Sequence, residues 1–358
     1  MKKLAVAVLL ITLGAGGSAY WLVERAREPF QGYGPEPQIV EISAGESTGA
    51  IGRRLIAAGV LRDDVTFRVA VWLSGAERRL QAGEYRFDRP MSAVDALGKI
   101  ARGEVDLTPL TFPEGLTVAE MSKIFEASGR GTASSFVAAA REASLVRAID
   151  PQARDLEGYL FPDTYALPRR ADASSLVHAM VAQFLHVLTP EIRSAAEGRG
   201  LSVRQLVTLA SIVEKETARA EERPLIAAVY ANRLKIGMGL QCDPTVIYAL
   251  QLSGRFDGNL RRDDLAFDSP YNTYKYAGLP PGPIAAPGKG SLEAAAQPAE
   301  TPYLYFVSRN DGSHEFARTL EEHNENVRKF QVQYFRDRRI GKAGGAGEAR
   351  EPGREGRR

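Results

Sequence analysis

The chain has 358 residues, 44% of them apolar and 25% charged, with a net charge of +2. These values fit a globular protein of two or more domains, and so weak a charge gives no reason to expect a nucleic-acid partner. The single cysteine, Cys242, rules out an intrachain disulfide, and the four histidines (His178, His186, His314 and His323) lack the spacing of a metal site, so no metal and no cofactor is expected.

Lys2 and Lys3 precede an uncharged apolar run over residues 4–23. A helix of that length spans about 30 Å, the thickness of a bilayer core. Tyr20 and Trp21 suit the headgroup level, and the basic start favours a cytoplasmic N-terminus with the remainder exported. A cleaved signal peptide is the competing reading, with residues 4–13 as its apolar region and Gly17-Ser18-Ala19 at the cleavage site. The apolar continuation through residues 20–23 favours an uncleaved anchor over residues 1–23, and the absence of a nearby cysteine excludes a lipoprotein. Residues 24–38, rich in Pro and Gly, read as a linker.

Ile39-Val40-Glu41-Ile42 alternates as a strand, and helices are expected over residues 48–58 and 63–73. Residues 82–87 return as a strand, and a further helix covers 92–101. A strand, two helices and a strand within about 50 residues make a small α+β module over 39–104. It resembles the LysM fold, which implies binding of N-acetylated glycans; a docking or spacer module without sugar affinity fits the same pattern.

Beyond it, a strand is expected over 105–112 and helices over 117–127 and 134–143. Residues 156–165 are rich in aromatics, with acids, Gly and Pro among them, and fit either a sugar-binding cleft or a packed loop. A helix over 174–186 leads through residues 190–200 to LSVRQLVTLASIVEKET, residues 201–217. Ser202 and Gln205 form a capping-box pattern. The helix that follows is apolar on nearly all sides and should be buried. It nevertheless runs into Glu214 and Glu216. A carboxyl at the end of a buried helix is costly unless paired, protonated or facing a cleft, and a protonated one is what glycosidic bond cleavage needs as general acid. The two acids lie about 200° apart around the helix, and periodicity does not choose between them.

Pro224 opens a helix through Leu234, and Asp243-Pro244 fits an N-cap and first position of another through Ala249. The Pro- and Gly-dense stretch 268–288 is a long fixed loop. A short helix (292–296), a hairpin with strands at 303–308 and 314–317, and an amphipathic helix over 320–336 follow. The Gly-rich, charged tail 341–358 is expected to be disordered.

LASIVEKET (209–217), NRL (232–234), LQCDPTVIY (240–248), YNTY (271–274), GLPPGPI (278–284) and TPYLYF (301–306), in that order, resemble the endolytic murein transglycosylases, the MltG or YceG-like family. The resemblance covers about residues 30–335. It implies an α+β protein with an N-terminal transmembrane helix, a small LysM-like βααβ module and a larger mixed α+β catalytic domain over 105–340. It implies cleavage of the β-1,4 bond between N-acetylmuramic acid and N-acetylglucosamine within peptidoglycan strands, leaving 1,6-anhydro ends and limiting nascent strand length. The implied setting is the bacterial plasma membrane, with the catalytic domain outside and peptidoglycan synthases as candidate partners. Such a lyase uses the sugar's own C6 hydroxyl as nucleophile, so one carboxyl can serve as acid and then base. The second glutamate of the Glu-Lys-Glu segment matches the family's catalytic acid, which puts that role on Glu216 and leaves Glu214 structural, pairing with an arginine. Gln241, Asp243, Asn272 and Tyr274 stand in matching motifs as substrate-binding or supporting residues, though each also fits a local cap or turn. Cys242 occupies a position where a small hydroxyl residue is expected, which argues against a catalytic role there. A lysozyme-like hydrolase using a second acid such as Asp243, and a non-enzymatic wall-binding protein, are the alternatives.

Overall fold

In the computed structural model of the chain, residues 2–334 and 336 are described; the tail expected at 341–358 lies outside them. The chain forms two compact units, residues 1–110 with 166–171, and residues 111–165 with 172 onward.

The first unit begins with α1 (Lys2–Arg27), which contains a stretch long and apolar enough to cross a membrane. Then come β1 (Gln38–Ile42), α2 (Thr48–Ala57), α3 (Asp64–Ser74), β2 (Gly83–Phe87) and α4 (Ala93–Ala101). Ser47, Asp63 and Ser92 cap the three short helices by accepting the N–H groups of Ala50, Thr66 and Asp95, which satisfies donors left free at a helix start. β1 and β2 pair antiparallel, from Gln38 opposite Phe87 to Ile42 opposite Gly83. Ile51, Leu55, Phe67, Tyr85, Leu97 and Ile100 fill the core between strands and helices. The end of α1 is built into this core. Ala26 is fully buried, and Arg25 reaches Asp63 at 2.5 Å. Phe30 pairs with Met91 as an isolated bridge.

β3 (Leu107–Thr111) pairs with a strand that sequence patterning does not reveal, β4 (Thr164–Pro168). Between them lie α5 (Val118–Ala127) and α6 (Ala133–Ala139). The aromatic stretch before β4 is a packed loop. Tyr159 is 2% exposed, its ring meets Phe184 edge-on, and its hydroxyl donates to Asp150 at 2.6 Å.

The second unit continues with α7 (Ala173–Val187), α8 (Pro190–Gly198), α9 (Val203–Glu216), α10 (Arg223–Lys235), α11 (Asp243–Leu252) and α12 (Lys289–Ala296). It ends with the hairpin β5 (Tyr305–Ser308) and β6 (His314–Ala317), and α13 (Leu320–Val327). The helix expected over 320–336 changes character after α13, where Arg328–Gln333 is π-helical. Asn310 Nδ2 donates to the Phe330 carbonyl at 2.6 Å there, an outside partner of the kind that loosens a helical ladder.

α9 is the centre of this unit and packs against α8, α10, α11 and α12. Its capping box forms as expected, with Ser202 and Gln205 bonding each other's backbone N–H. Leu206, Val207, Leu209, Ile212 and Val213 are each 0% exposed. Burying such side chains contributes roughly 1.5–3 kcal/mol apiece, so surrounding contacts hold the helix more than its own propensity does. Its polar Ser211 Oγ accepts the Ile284 N–H at 3.1 Å, which pins the Pro-rich loop to the helix. Gly158, at φ +80°, lies under that loop, where a Cβ would stand 2.4 Å from Pro283; only glycine fits.

Candidate active site

The two glutamates at the end of α9 go to different environments. Glu214 is enclosed, accepts the Gly288 N–H at 3.0 Å and pairs with Arg223 at 3.4 Å, the kind of arginine pairing expected for it. Glu216, half-buried, faces a cleft of about 270 Å³ lined also by Tyr230, Arg233, Leu240, Gln241, Asp243, Tyr274, Phe306 and His323. A larger cavity of about 820 Å³ opens beside α8, α10 and α12, but its one acid, Glu300, is exposed. Enclosure and converging polar groups, more than volume, mark the smaller cleft as the candidate site.

Two donors meet at a single oxygen of Glu216. The Tyr230 hydroxyl donates to Oε1 at 2.5 Å, and the Cys242 thiol lies 3.1 Å from the same atom. Burial pushes the Glu216 carboxyl above the usual carboxylate range; the Tyr230 and Cys242 donors pull it down without cancelling the rise, and Asp243 adds to it. Burial likewise raises the Tyr230 hydroxyl and the Cys242 thiol well above their ordinary values, so both remain protonated donors. The position where a hydroxyl residue is expected thus holds a thiol that points at the carboxyl.

Of the residues singled out in the sequence, Glu216, Gln241, Asp243 and Tyr274 line this one cleft. Tyr274 Oη donates to Asp243 Oδ1 at 2.6 Å, which ties the long loop to the start of α11. Asp243 is the first residue of α11, and Cys242 takes the N-cap position. Gln241 has φ 49°, a left-handed conformation that costs a non-glycine residue roughly 1–2 kcal/mol. Its N–H donates to the Thr273 carbonyl at 3.1 Å, and the Cys242 N–H donates to Thr273 Oγ1 at 3.0 Å. These bonds hold the strained turn against the loop.

Asn272 is fully buried and is not among the residues lining the cleft. Its amide donates to the carbonyls of Leu265 at 3.0 Å and Phe267 at 2.7 Å. Its Oδ1 accepts the Tyr274 N–H at 2.9 Å. Asn272 is therefore joined to the cleft through the Tyr274 backbone and not by lining it.

Tyr230 and His323 lie outside the segments that carry the resemblance, while Arg233 and Phe306 stand in NRL (232–234) and TPYLYF (301–306) without an assigned role. Tyr230 and Arg233 stand three apart on α10 and share a face, a signal available once α10 is known to lie beside α9. Arg233 is buried and donates to the carbonyls of Leu304 at 2.7 Å and Leu240 at 2.8 Å, with Tyr305 beneath its guanidinium at 5.2 Å. The neighbouring Asn232 donates to the carbonyls of Thr301 and Tyr303. Together they fix the hairpin and the 240 turn on either side of the carboxyl. Behind it, Glu222 accepts from His314 Nδ1 at 2.7 Å and from Thr217 Oγ1 at 3.3 Å. Burial would raise the Glu222 carboxyl, but the bonds from His314 outweigh it and hold Glu222 below the usual range. Among the described residues, no three His, Cys, Asp or Glu side chains converge as a metal site.

A model of the YceG-like family matches residues 40–329 of the chain. The chain is 31% identical over 331 residues to the endolytic murein transglycosylase of Bacillus subtilis (strain 168), covering 88% of this chain and 90% of that protein. It is 32% identical over 353 residues to the endolytic murein transglycosylase of Streptococcus pneumoniae serotype 2, covering 89% of this chain and 63% of that longer protein. Among solved structures, a YceG-like protein of Listeria monocytogenes superposes with a TM-score of 0.55 at 33% identity, covering 82% of this chain and 99% of that one.

Proposed function

The chain belongs to the YceG-like family, and on that footing we infer that it is an endolytic murein transglycosylase. It is a lyase that cuts the β-1,4 bond between N-acetylmuramic acid and N-acetylglucosamine within glycan strands, leaves 1,6-anhydro ends and so limits strand length. Glu216 supplies the acid. The observation that carries this assignment is the half-buried Glu216 carboxyl in the cleft, raised by burial, with Tyr230 and Cys242 both on Oε1.

Oε1 is taken by those two donors, which leaves Oε2 to carry the proton. Glu216 passes that proton to the leaving glycosidic oxygen as the bond to C1 breaks. The carboxylate then takes the proton of the C6 hydroxyl, whose oxygen bonds to C1 and closes the anhydro ring. No water is consumed, and the carboxyl ends the cycle protonated. Tyr230 and Cys242 stabilise the carboxylate between the two steps and hold its plane. Gln241, Asp243 and Tyr274, on the same cleft, are assigned to sugar binding. Asn272 supports them by holding the Tyr274 backbone.

The apolar α1 supports a single-pass anchor in the plasma membrane with the catalytic unit outside, among the synthases whose strands it cuts. The strand–helix–helix–strand order of residues 38–87 and its antiparallel pairing support the LysM-like reading. Mass spectrometry of fragments released from purified glycan strands tests the reaction. Anhydro ends, lighter than reducing ends by two hydrogens and an oxygen, are expected on fragments cut from the strand interior. Reducing ends alone would make the protein a hydrolase, and single disaccharides alone would make it an exo-acting enzyme.

A further inference from the structure

We propose that a groove beside Trp72 in the first unit docks onto the anionic phospholipid headgroups of the bilayer that α1 enters. The proposal rests on the reading of α1 as a membrane anchor. Trp72 is 77% exposed, more than any other large apolar side chain among the described residues. Val65, two helical turns earlier on the same face of α3, is 53% exposed. Beside them runs a groove of about 810 Å³ whose charged lining is Arg53, Arg68, Arg78 and Arg79 against Asp64 and Glu77. Arg68 is engaged by Asp64 at 2.7 Å. Arg53, Arg78 and Arg79 are exposed and take part in no ion pair among the described residues.

The position of this groove follows from how α1 joins the unit. The apolar run ends at Val23, and Tyr20 and Trp21, 69% and 57% exposed, mark the headgroup level. One turn on, Arg25 holds Asp63, the N-cap of α3, and Thr66 inside α3. Glu28 pairs with Arg62 at 2.9 Å. α3 therefore starts at the membrane surface, and Trp72 lies about 12 Å along it at 1.5 Å per residue. That length is the greatest height its backbone can reach above the start of α3, and an α3 lying along the surface brings the groove within the ~8 Å over which a charged leaflet is felt at physiological salt. Guanidinium groups pair well with phosphate oxygens and shed water readily, and tryptophan favours the interface. An uncharged sugar face would use Trp72 but leave Arg78 and Arg79 unmatched, whereas Arg53 already acts on the Glu46 carboxylate, so headgroups fit the groove better.

The chain has two tryptophans, Trp21 and Trp72, so Trp21→Phe and Trp72→Phe each leave a single fluorescent reporter. The full chain is reconstituted into phosphatidylcholine vesicles, with and without phosphatidylglycerol, containing lipid brominated near the top of the acyl chain. Trp21 should be quenched in both. Trp72 should be quenched and blue-shifted only with phosphatidylglycerol, and high salt should reverse this. Each arginine near an anionic leaflet is worth roughly a five-fold change in the docked-to-free ratio, so replacing Arg78 and Arg79 with Ser should lower it roughly 25-fold. Trp72 keeping a solvent-exposed emission in anionic vesicles while Trp21 is quenched would overturn the proposal and leave the anchor standing. So would a Trp72 shift produced by purified glycan strands in phosphatidylcholine alone, which would make the occupant a sugar. An unquenched Trp21 would overturn the anchor and this proposal with it.

Discussion

Tyr230→Phe isolates one bond at the centre of the site. The hydroxyl donates to Glu216 Oε1 at 2.5 Å and lowers the carboxyl against the rise from burial. A donor to the charged form of an acid favours that form, so its loss raises the Glu216 pKa further. Hydrogen bonds to charged groups contribute about 1.5–3 kcal/mol, and 1.36 kcal/mol corresponds to one pH unit, which makes the change about one to two pH units. Water entering the vacated place would reduce it toward the lower end. The first step needs the protonated acid, so kcat/KM falls as pH rises through its pKa. The assay is release of anhydro-ended fragments across the pH range in which the fold is stable. The alkaline fall should move up by about one to two pH units, with a lower plateau because the carboxyl loses an orienting contact. The ring should stay packed edge-on against Phe306, 5.9 Å away, so melting should change little. An alkaline limb that stays in place, or moves down, in a folded variant would refute this account of Tyr230.

Cys242→Ser should act with the opposite sign. A hydroxyl is a stronger donor than the thiol now 3.1 Å from Glu216, so the acid's pKa should fall and the alkaline limb should move down; an upward move counts against the contact. Glu214→Ala should leave Arg223 and the Gly288 N–H short of a partner, costing about 1–3 kcal/mol of stability, while activity per folded molecule persists; a total loss of turnover in folded protein would place Glu214 in the chemistry. Glu157, which accepts from Val118 N–H and Tyr248 Oη, is pushed up to about 8 by burial, against the Val118 bond. Its raised folded value makes its contribution to stability full below the unfolded value near 4.5, and that contribution is lost as pH rises through about 8. Urea melts should therefore show the wild type losing stability across that window relative to Glu157→Gln; parallel curves would contradict the burial argument.

Much of the fold is legible locally because its elements carry their own punctuation. The capping box of Ser202 and Gln205 starts α9 where it should, and the alternation of residues 39–42 marks a strand that pairs with another in a second alternating run. α8 is not expected from the reading of residues 190–200, yet it carried a signal that could have been read, since Thr189 caps it and Pro190 opens it. β4 did not, because Thr164–Pro168 becomes a strand through a partner more than 50 residues away. The site divides in the same way. Two acids at the end of a buried helix announce a special place, but Val207 and Ala210 on the line of Glu214, and Leu209 and Ile212 on the line of Glu216, are all fully buried, so periodicity cannot separate the two acids. What separates them arrives from elsewhere: Arg223 and Gly288 at one, Tyr230 and Cys242 at the other. Asn272 shows the converse. An amide in a Pro- and Gly-rich loop suits a ligand or the loop's own carbonyls equally well, and only the folded loop shows Leu265 and Phe267 taking its two donors.

The central claim is that one carboxyl, that of Glu216, performs both proton transfers. Counting 1,6-anhydro ends released from glycan strands by the wild type and by Glu216→Gln tests it most directly. The account predicts anhydro ends from the wild type and none above background from a Glu216→Gln protein that melts normally. Anhydro ends from that variant at a comparable rate would contradict it.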